Sequence, residues 1–371
     1  MINKDIRYMK NKAICVILAA AALASGCEKS VTNGIYDDEQ KYVKAWLRLD
    51  HSDIGLDITK RDGKTGLPQT IGRGVYLLSE TPGTGELTAE KGKFVRIDYI
   101  AMDMDGNISS YTDKATAKKL GKYESPNYYG PHIITLAGGA NYAGIIDAVS
   151  GMKIGGERTV FIPKWLMSTQ DHENEDGFLS SSSSSSNTIY RIRLEEVIDD
   201  IKQYQIDIIE EYLKDNVIGK MKLENGKTVE KVDTTGTIGP CRGFYFIPVT
   251  DTTGHRAFPT DTTITINYTG SRLDGQVFDT TVERTAKDND IWSSSRTYST
   301  QSVSWSENVN EITMGGSSLI TGFSKTLWQM NSGKGIGIFW SDLGYGSSGS
   351  GSTIPGYAPL MFEIEITDGE D

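Results

Sequence analysis

Apolar and polar residues alternate over two short stretches of this 371-residue chain, and the clearer stretch is Thr263–Thr281. Ile264, Ile266 and Tyr268 fall on one face of a strand there, with polar residues between them. An Asp-Gly pair at positions 274 and 275 then marks a tight turn into a second apolar run. The stretch therefore predicts a β-hairpin.

The same hairpin pattern occurs earlier in the chain, over Lys93–Ser110. Tyr99 matches Tyr268 at an offset of 169 in the numbering (268 − 99 = 169), and the two Asp-Gly turns match at the same offset (274 − 105 = 169). That offset also relates Arg-Gly-Val-Tyr at 73–76 to Arg-Gly-Phe-Tyr at 242–245. A single register that needs no gap predicts a duplicated globular domain, because the repeat is too long for a solenoid.

Helical spacing of apolar residues precedes each copy. Acidic residues lead the segment Tyr36–Leu47 and apolar ones follow, which predicts a short helix. Ile198–Leu213 has the same character and predicts a linking helix, and a further short helix is predicted within Ala143–Val149. The patterns divide the chain into a signal (1–27), a tether with a short helix (28–72), domain one (73–197), a helical linker (198–241) and domain two (242–371).

The segment 1–27 has the composition of an export signal, with lysines before an apolar run that is too short to span a bilayer comfortably. Its end, Leu-Ala-Ser-Gly-Cys27, resembles a bacterial lipobox. The resemblance implies that Cys27 is the lipid-attachment residue and that the protein is anchored in the outer membrane of a bacterial cell envelope, facing the periplasm or the surface. The alternative is an ordinary signal peptide with an incidental cysteine.

Charge and cysteine content narrow the class of protein. The net charge is −11, and the signal contributes +3 of it, so the rest of the chain carries −14. Such a charge favours solubility and argues against nucleic acid as a partner. If Cys15 leaves with the signal and Cys27 is acylated, Cys241 has no cysteine with which to form an internal disulfide.

A polar segment near the end of domain one contains an unbroken run of serines, Ser180–Ser186, after a run of acidic residues. This composition cannot bury surface and predicts a mobile loop. His172 lies among acidic residues in the same segment, so a metal site is the alternative interpretation. The four histidines are scattered along the chain, and the sequence therefore predicts neither a metal centre nor a cofactor.

Several motifs occur in a characteristic order. Domain two contains YTGxxxDGxxFD, LITGF, LGYG and IPxxxPLxFEIEI, and domain one contains GMKIGGERTVFIP. The order resembles that of FKBP-type peptidyl-prolyl cis-trans isomerases, and a tandem pair behind a lipobox is similar to lipoproteins of Bacteroidota. The resemblance implies an α+β fold. It also implies that in each domain a twisted antiparallel sheet wraps around a short helix, with the ligand groove between them.

Prolyl isomerisation makes modest chemical demands on a site. Rotation breaks amide resonance against a barrier of about 18–20 kcal/mol and needs no nucleophile. A dry aromatic pocket with a few polar groups at its mouth can favour the twisted amide. By resemblance, domain two supplies such a pocket through Tyr268, Phe278, Asp279, Leu319, Ile320, Phe323, Tyr345, Ile354 and Phe362.

Two positions of domain two depart from the family pattern. Phe323 stands where tryptophan is usual, and Val309 or Asn310 stands where a further pocket aromatic is expected. Domain one departs further. It has Ser109-Ser110 opposite Phe278-Asp279, Asn141-Tyr142 opposite Leu319-Ile320, Ile145 opposite Phe323, and only Tyr99 retained. We therefore expect domain one to be structurally intact and catalytically degenerate.

Two classes of function remain open. The first is an envelope isomerase or chaperone, monomeric, whose clients are proline-containing exported polypeptides. The second is a non-catalytic lipoprotein that uses the fold to hold a peptide, a partner protein or a glycan. The segment Glu283–Asn310 looks like a long insertion and favours the second class. Its Trp292 and Trp305 form either an exposed ligand platform or a local packing cluster.

Overall fold

The computed structural model describes residues 31–169, 185–214, 243–249, 258–259, 261–330 and 332–367. These residues form two antiparallel sheets with few helices, which confirms the α+β class. The export signal with Cys27, His172, most of the serine run and Cys241 lie outside the described residues, so the predictions made for them stay predictions.

The elements follow one another in a similar order in the two halves of the chain. The first half contains α1 (Val31–Arg48), β1 (Gln69–Ile71), β2 (Val75–Thr81), β3 (Phe94–Met102), β4 (Ile108–Tyr111), α2 (Lys114–Lys119), β5 (His132–Thr135), α3 (Ala143–Val149), β6 (Glu157–Ile162) and β7 (Thr188–Ile198). The second half contains α4 (Ile201–Tyr212), β8 (Phe244–Pro248), β9 (Thr263–Arg272), β10 (Val277–Thr280), α5 (Glu283–Asp288), β11 (Gln301–Ser304), β12 (Thr313–Met314), β13 (Ser317–Ser318), α6 (Thr321–Trp328), β14 (Gly333–Phe339) and β15 (Leu360–Ile366).

The two sheets have the same central strand order. In domain one it is β1-β2-β6-β7-β3-β4, with β5 also paired to β3. In domain two it is β8-β14-β15-β9-β11-β12-β13, with β10 also paired to β9. The long central strand of each domain, β3 or β9, thus pairs with its hairpin partner, β4 or β10, at one end. At the other end it pairs with a further short strand, β5 or β11. This topology matches the duplication that the constant register predicts.

One face of each sheet packs on a short helix to form the main core. In domain one, α3 places Ile145 and Ile146 against this face. In domain two, α6 does the same with Phe323 and Leu327. Burial of each such side chain stabilises the fold by about 1.5–3 kcal/mol. Each domain therefore has a core between its sheet and its short helix.

A second helix covers the opposite face of each sheet. Helix α1 buries Trp46 and Leu47 against Phe161, and α4 buries Ile209 against Ile338. Helix α1 extends beyond the predicted segment at both ends, whereas α4 is shorter than predicted. Helix α4 starts later than predicted because the residue at 198 still belongs to β7. The Asp200 carboxylate caps α4 by accepting hydrogen bonds from two backbone amides.

The segment Glu283–Asn310, which the sequence suggests is a long insertion, has a counterpart in domain one. Helix α5 follows α2, and strand β11 follows β5, by the same offset of 169 at both ends of each element (for the helix starts, 283 − 114 = 169). Tyr298 accepts a hydrogen bond from Ser293 N at 3.0 Å, as Tyr129 does from Glu124 N at 3.0 Å. Both domains therefore share this segment, although few of its side chains are identical.

Candidate active site

An irregular pairing of β10 with β9 aims two consecutive side chains of domain two at one site. Val277 pairs with Ser271 and Asp279 with Gly270, so Phe278 is the extra residue of a β-bulge. Consecutive residues of a regular strand point to opposite faces, and a bulge breaks that alternation. Phe278 and Asp279 can thus both line the groove.

The Asp279 carboxylate is held at the groove by two partners. Tyr268, on β9, donates a hydrogen bond from its hydroxyl to Asp279 Oδ2 at 2.7 Å. Arg296, on the rim after α5, places Nη1 2.5 Å from Asp279 Oδ1 and donates to the carbonyl oxygen of Thr280 at 2.9 Å. Arg296 was missed by the sequence analysis. The shared register at Tyr129 and Tyr298 could have identified the rim that carries it.

Four aromatic rings form the wall and floor of the groove. The Phe362 ring centroid lies 5.6 Å from that of Phe278 and 5.1 Å from that of Phe323, both edge-on. The Tyr268 ring meets Phe323 edge-on at 5.4 Å. Edge-to-face pairs at these distances contribute about 0.5–1.5 kcal/mol each beyond their buried area. Phe339, which was not among the predicted residues, stacks beneath Phe362 at 5.9 Å.

A glycine makes this ring arrangement possible. Gly270 pairs with Asp279 on one side and with Phe362 on the other. A Cβ atom at position 270 would lie 2.7 Å from ring atoms of both Phe278 and Phe362. The two rings therefore occupy the space above the glycine, and a larger residue at this position would push them apart.

The start of helix α6 forms a further wall. Leu319 and Ile320 are half-buried and pack against the aromatic cluster, and Ile320 is the N-cap of the helix. Among the described residues no acceptor is found for the Ile320 amide. An amide at the start of a helix has no intrahelical partner, so it is available to a ligand carbonyl.

A loop after β14 brings in the last two predicted residues. Ile354 is 5% exposed and belongs to the same apolar cluster as Phe362. Tyr345 is 37% exposed, and its pKa is raised by burial and by the charge of Asp279. The structure thus brings all nine predicted site residues of domain two to one region of the sheet.

The pKa values of Tyr268 and Arg296 are both raised. Burial, and then the charge of Asp279, raise the pKa of Tyr268 well above its usual range, so the hydroxyl stays protonated. Burial alone would lower the pKa of Arg296, but its hydrogen bond to Asp279 and the carboxylate charge raise it overall. Neither Tyr268 nor Arg296 is therefore poised to exchange a proton near neutrality.

Other predicted features fall outside the groove. Val309 is buried and Asn310 is exposed, so neither supplies the missing aromatic. Trp292 is 45% exposed and donates to Glu283 on α5, whereas Trp305 is 3% exposed within the core. The two tryptophans therefore form neither a shared platform nor a single packing cluster.

Domain one retains the backbone of the site without its walls. The same bulge makes Ser109 the extra residue, and Tyr99 Oη lies 3.3 Å from Ser110 Oγ. Ala101 occupies the position of Gly270, and Tyr190 that of Phe362, since each pairs with the equivalent central strand residue. Domain one thus keeps a second aromatic, Tyr190, that sequence reasoning missed.

The described residues show no other chemistry that the groove could use. None of their His, Cys, Asp and Glu side chains gather in threes as a metal site would require. No helix in the described part of the chain combines the length and apolarity needed to cross a membrane. What the groove offers is an aromatic surface edged by a hydroxyl, a carboxylate and a backbone amide.

Comparison with known proteins agrees with this geometry. Residues 254–367 match the family model described as FKBP-type peptidyl-prolyl cis-trans isomerase. An FK506-binding protein 1A of Aspergillus fumigatus is 31% identical over 104 residues, which is 28% of this chain and 73% of that protein. A short-type peptidyl-prolyl cis-trans isomerase of Methanocaldococcus jannaschii is 34% identical over 74 residues, 20% of this chain. The match spans about half of that relative, 46% of its length.

A solved structure of the three FKBP domains of wheat FKBP73 aligns over 80% of this chain and 98% of that one, at 13% identity and a TM-score of 0.24. The family model and the fungal relative are sufficient, and the chain belongs to the FKBP-type peptidyl-prolyl cis-trans isomerase family.

Proposed function

We propose that domain two catalyses peptidyl-prolyl cis-trans isomerisation on exported polypeptides. The observation that carries the proposal is the groove itself, with Tyr268, Phe278, Phe323 and Phe362 in mutual contact beside the Tyr268–Asp279 hydrogen bond. An apolar wall removes water from the proline ring and its amide, and loss of solvation disfavours the planar, more polar amide. The Ile320 amide is placed to donate a hydrogen bond to a carbonyl group of the bound chain, whereas the Tyr268 hydroxyl donates to Asp279 and fixes that carboxylate.

The mechanism needs positioning and desolvation but no proton transfer. Acceleration of the rotation by a factor of ten requires about 1.4 kcal/mol of preferential binding of the twisted amide. Tyr268 stays protonated because burial raises its pKa. We therefore expect kcat/KM to be flat between about pH 6 and about pH 9, without the bell shape of acid–base catalysis.

The direct experiment measures isomerisation of a short X-Pro peptide by the full chain. Phe278→Ala, which removes a groove wall, should lower kcat/KM at least tenfold, about 1.4 kcal/mol. Ser109→Ala, at the equivalent position of domain one, is the matched control and should leave the rate unchanged. A folded chain that accelerates no X-Pro peptide would contradict the proposal.

A binding function without turnover is the second candidate. It is favoured by the buried valine at position 309 and the exposed asparagine at 310, since neither closes the groove with an aromatic ring. In that case proline-containing peptides should bind to the groove and Phe278→Ala should weaken binding, while the isomerisation rate equals that of the peptide alone.

We also propose that Cys27 anchors the chain to the bacterial outer membrane. Only Glu28, Lys29 and Ser30 separate Cys27 from the start of α1, so the chain between them can span at most about 14 Å. Domain one, which α1 covers, would then lie beside the lipid surface. Cys27→Ser should move the protein from the membrane fraction to the soluble fraction, and retention in the membrane would contradict the anchor.

A further inference from the structure

The loop that closes the domain-two groove is held from outside by domain one. We call residues 346–359 the closing loop and residues 122–131 the domain-one rim. The Tyr128 amide of the rim donates to the carbonyl oxygen of Ser352 at 2.8 Å. The Ser352 hydroxyl donates to Asn127 Oδ1 at 2.7 Å. The closing loop thus makes both a backbone and a side-chain hydrogen bond with the other domain.

An arginine of domain two joins the same contact. The Arg272 side chain, 8% exposed, donates through Nη1 to the carbonyl oxygen of Thr353 at 2.5 Å and to that of Pro126 at 3.4 Å. Its guanidinium lies 5.1 Å from the centre of the Tyr128 ring and is paired with Asp274 at 3.0 Å. A buried guanidinium is stable only when its charge and donors are matched, so these contacts depend on one another.

The anchored residues stand next to a side chain of the groove. Ser350 and Ile354 exchange backbone hydrogen bonds at 2.8 and 3.1 Å, which closes a turn around Ser352 and Thr353. Ile354, the end of that turn, packs into the aromatic cluster. Fixing the outer side of the turn therefore fixes the position of Ile354 on its inner side.

The duplication shows that the rim makes different contacts in the two domains. In domain two, the rim residue Arg296 binds Asp279 of its own groove. Asn127 is the counterpart of Arg296 at the constant offset (296 − 127 = 169), and the residue equivalent to Asp279 is Ser110, which offers no carboxylate. Asn127 instead accepts its hydrogen bond from Ser352 of domain two. The domain-one rim therefore contacts the closing loop of domain two, whereas Arg296 of domain two contacts its own groove.

A second contact lies further along the same loop. The Phe94 ring of β3 meets the Tyr357 ring edge-on at 5.5 Å. Tyr357 has φ +63°, a conformation that is uncommon for a residue with a side chain and that persists only where neighbours enforce it. Domain one therefore touches the closing loop at both Ser352 and Tyr357.

We propose that domain one is a positioning element for the domain-two site, and that its rim holds the closing loop in the conformation that places Ile354 in the groove. This inference rests on the proposed function for its effect on substrate, but its effect on the loop is independent of turnover. Asn127 and Ser352 are positioning residues, since they act on bound peptide only through the loop.

The test uses the full chain with Ser352→Ala and Ser352→Thr as a matched pair. Ser352→Ala removes the hydroxyl donor, whereas Ser352→Thr keeps it. Amide hydrogen exchange at Ser350 and Ile354 should become roughly tenfold faster in Ser352→Ala and stay near the wild-type rate in Ser352→Thr. Asn127→Ala should give the same increase as Ser352→Ala, and the double variant should add little, because both variants remove the same Ser352–Asn127 hydrogen bond.

Peptide measurements then separate positioning from general destabilisation. For an X-Pro peptide, Ser352→Ala should raise KM, or Kd if there is no turnover, about threefold to tenfold, with kcat and the melting temperature unchanged. Asn107→Ala, in the exposed turn after β3, is the control and should change neither exchange nor affinity. Unchanged loop exchange in Ser352→Ala overturns the inference even if the enzyme is active. Faster exchange with unchanged affinity overturns the positioning role. A wild-type chain without turnover contradicts the proposed function alone, since loop exchange and Kd still decide this inference.

Discussion

At the bulge between the central strand and its hairpin partner, domain two carries Phe278-Asp279 and domain one carries Ser109-Ser110. The backbone around both pairs is nearly the same. Tyr268 N donates a hydrogen bond to Thr281 Oγ1 at 2.9 Å, and Tyr99 N donates to Thr112 Oγ1 at 2.9 Å. The hairpin thus keeps its geometry whether or not the groove is aromatic.

This contrast indicates that the scaffold and the site have separate determinants. The scaffold depends on the turn glycines, the strand pattern and the threonine hydrogen bonds, all of which both domains retain. The site depends on a few side chains that contact one another above the sheet, and domain one has replaced most of them. Domain one can therefore fold as its counterpart does while serving as a support for the closing loop of domain two.

The largest expected effect comes from giving domain two the domain-one pair. Phe278→Ser combined with Asp279→Ser removes a wall and the partner of both Tyr268 and Arg296. We expect kcat/KM for an X-Pro peptide to fall at least a hundredfold, about 2.7 kcal/mol, in an isomerisation assay.

The reciprocal change in domain one should create no site. Ser109→Phe with Ser110→Asp restores the pair, but Ala101 keeps the Cβ atom that the rings of domain two could not tolerate at Gly270. We expect the activity of this variant to equal that of the wild type. Turnover from the restored pair in a chain whose domain-two pair is removed would show that the comparison rests on the wrong residues.

A smaller loss should follow from the glycine alone. Gly270→Ala places a Cβ 2.7 Å from ring atoms of Phe278 and Phe362, so one ring must move. Such overpacking costs about 1–3 kcal/mol of stability, and we expect kcat/KM to fall about tenfold. Urea denaturation and the peptide assay measure the two effects.

The control for this variant is Ala101→Gly at the equivalent position of domain one. It should cost about 0.5–1 kcal/mol through backbone entropy and leave the isomerisation rate unchanged. Equal losses of activity in Gly270→Ala and Ala101→Gly would mean that ring packing above Gly270 does not shape the groove.

The strands and helices could be predicted from local patterns in the sequence, and the aromatic set could be predicted from its resemblance to a known family. Alternation indicated the hairpin strands, helical spacing indicated the covering helices, and the resemblance of the motif order to a known family implied that Phe323 and Phe362 line one groove. Arg296 could not be found in this way, since its contact with Asp279 depends on the path of the rim between them. The Asn127–Ser352 hydrogen bond joins positions 225 apart and depends on how two domains meet, which no local pattern records.

The significance of Gly270 was hidden for a similar reason. A glycine in a strand weakens it, and sequence alone does not show what uses the vacant space. Only the pairing of Gly270 with both Asp279 and Phe362 shows that two rings fill it. The same reasoning explains why Tyr190 was missed, because its equivalence to Phe362 is a matter of strand register rather than residue type.

The smallest expected effect is a difference between strands β5 and β11 in how their contribution to stability depends on pH. Burial lowers the pKa of the His132 imidazole on β5, and the charge of Asp98 offsets this only in part. The equivalent residue of domain two is Gln301, which does not titrate. Because the folded state favours the neutral imidazole, His132 contributes stability that is present above its unfolded pKa of about 6.5 and is lost as the pH falls through the lower, folded value.

His132→Phe removes this titration and keeps a ring beside Tyr99 and Tyr128, whose ring centroids lie 6.2 and 5.5 Å from that of His132. The free energy of unfolding of the wild type, relative to that of His132→Phe, should therefore decrease between about pH 7 and about pH 5. Gln301→Phe is the matched control, and its difference from the wild type should not change over the same range. Urea denaturation at several pH values measures these differences. If the free energies of unfolding of His132→Phe and the wild type change with pH in parallel, the imidazole is not desolvated, and β5 and β11 do not differ electrostatically.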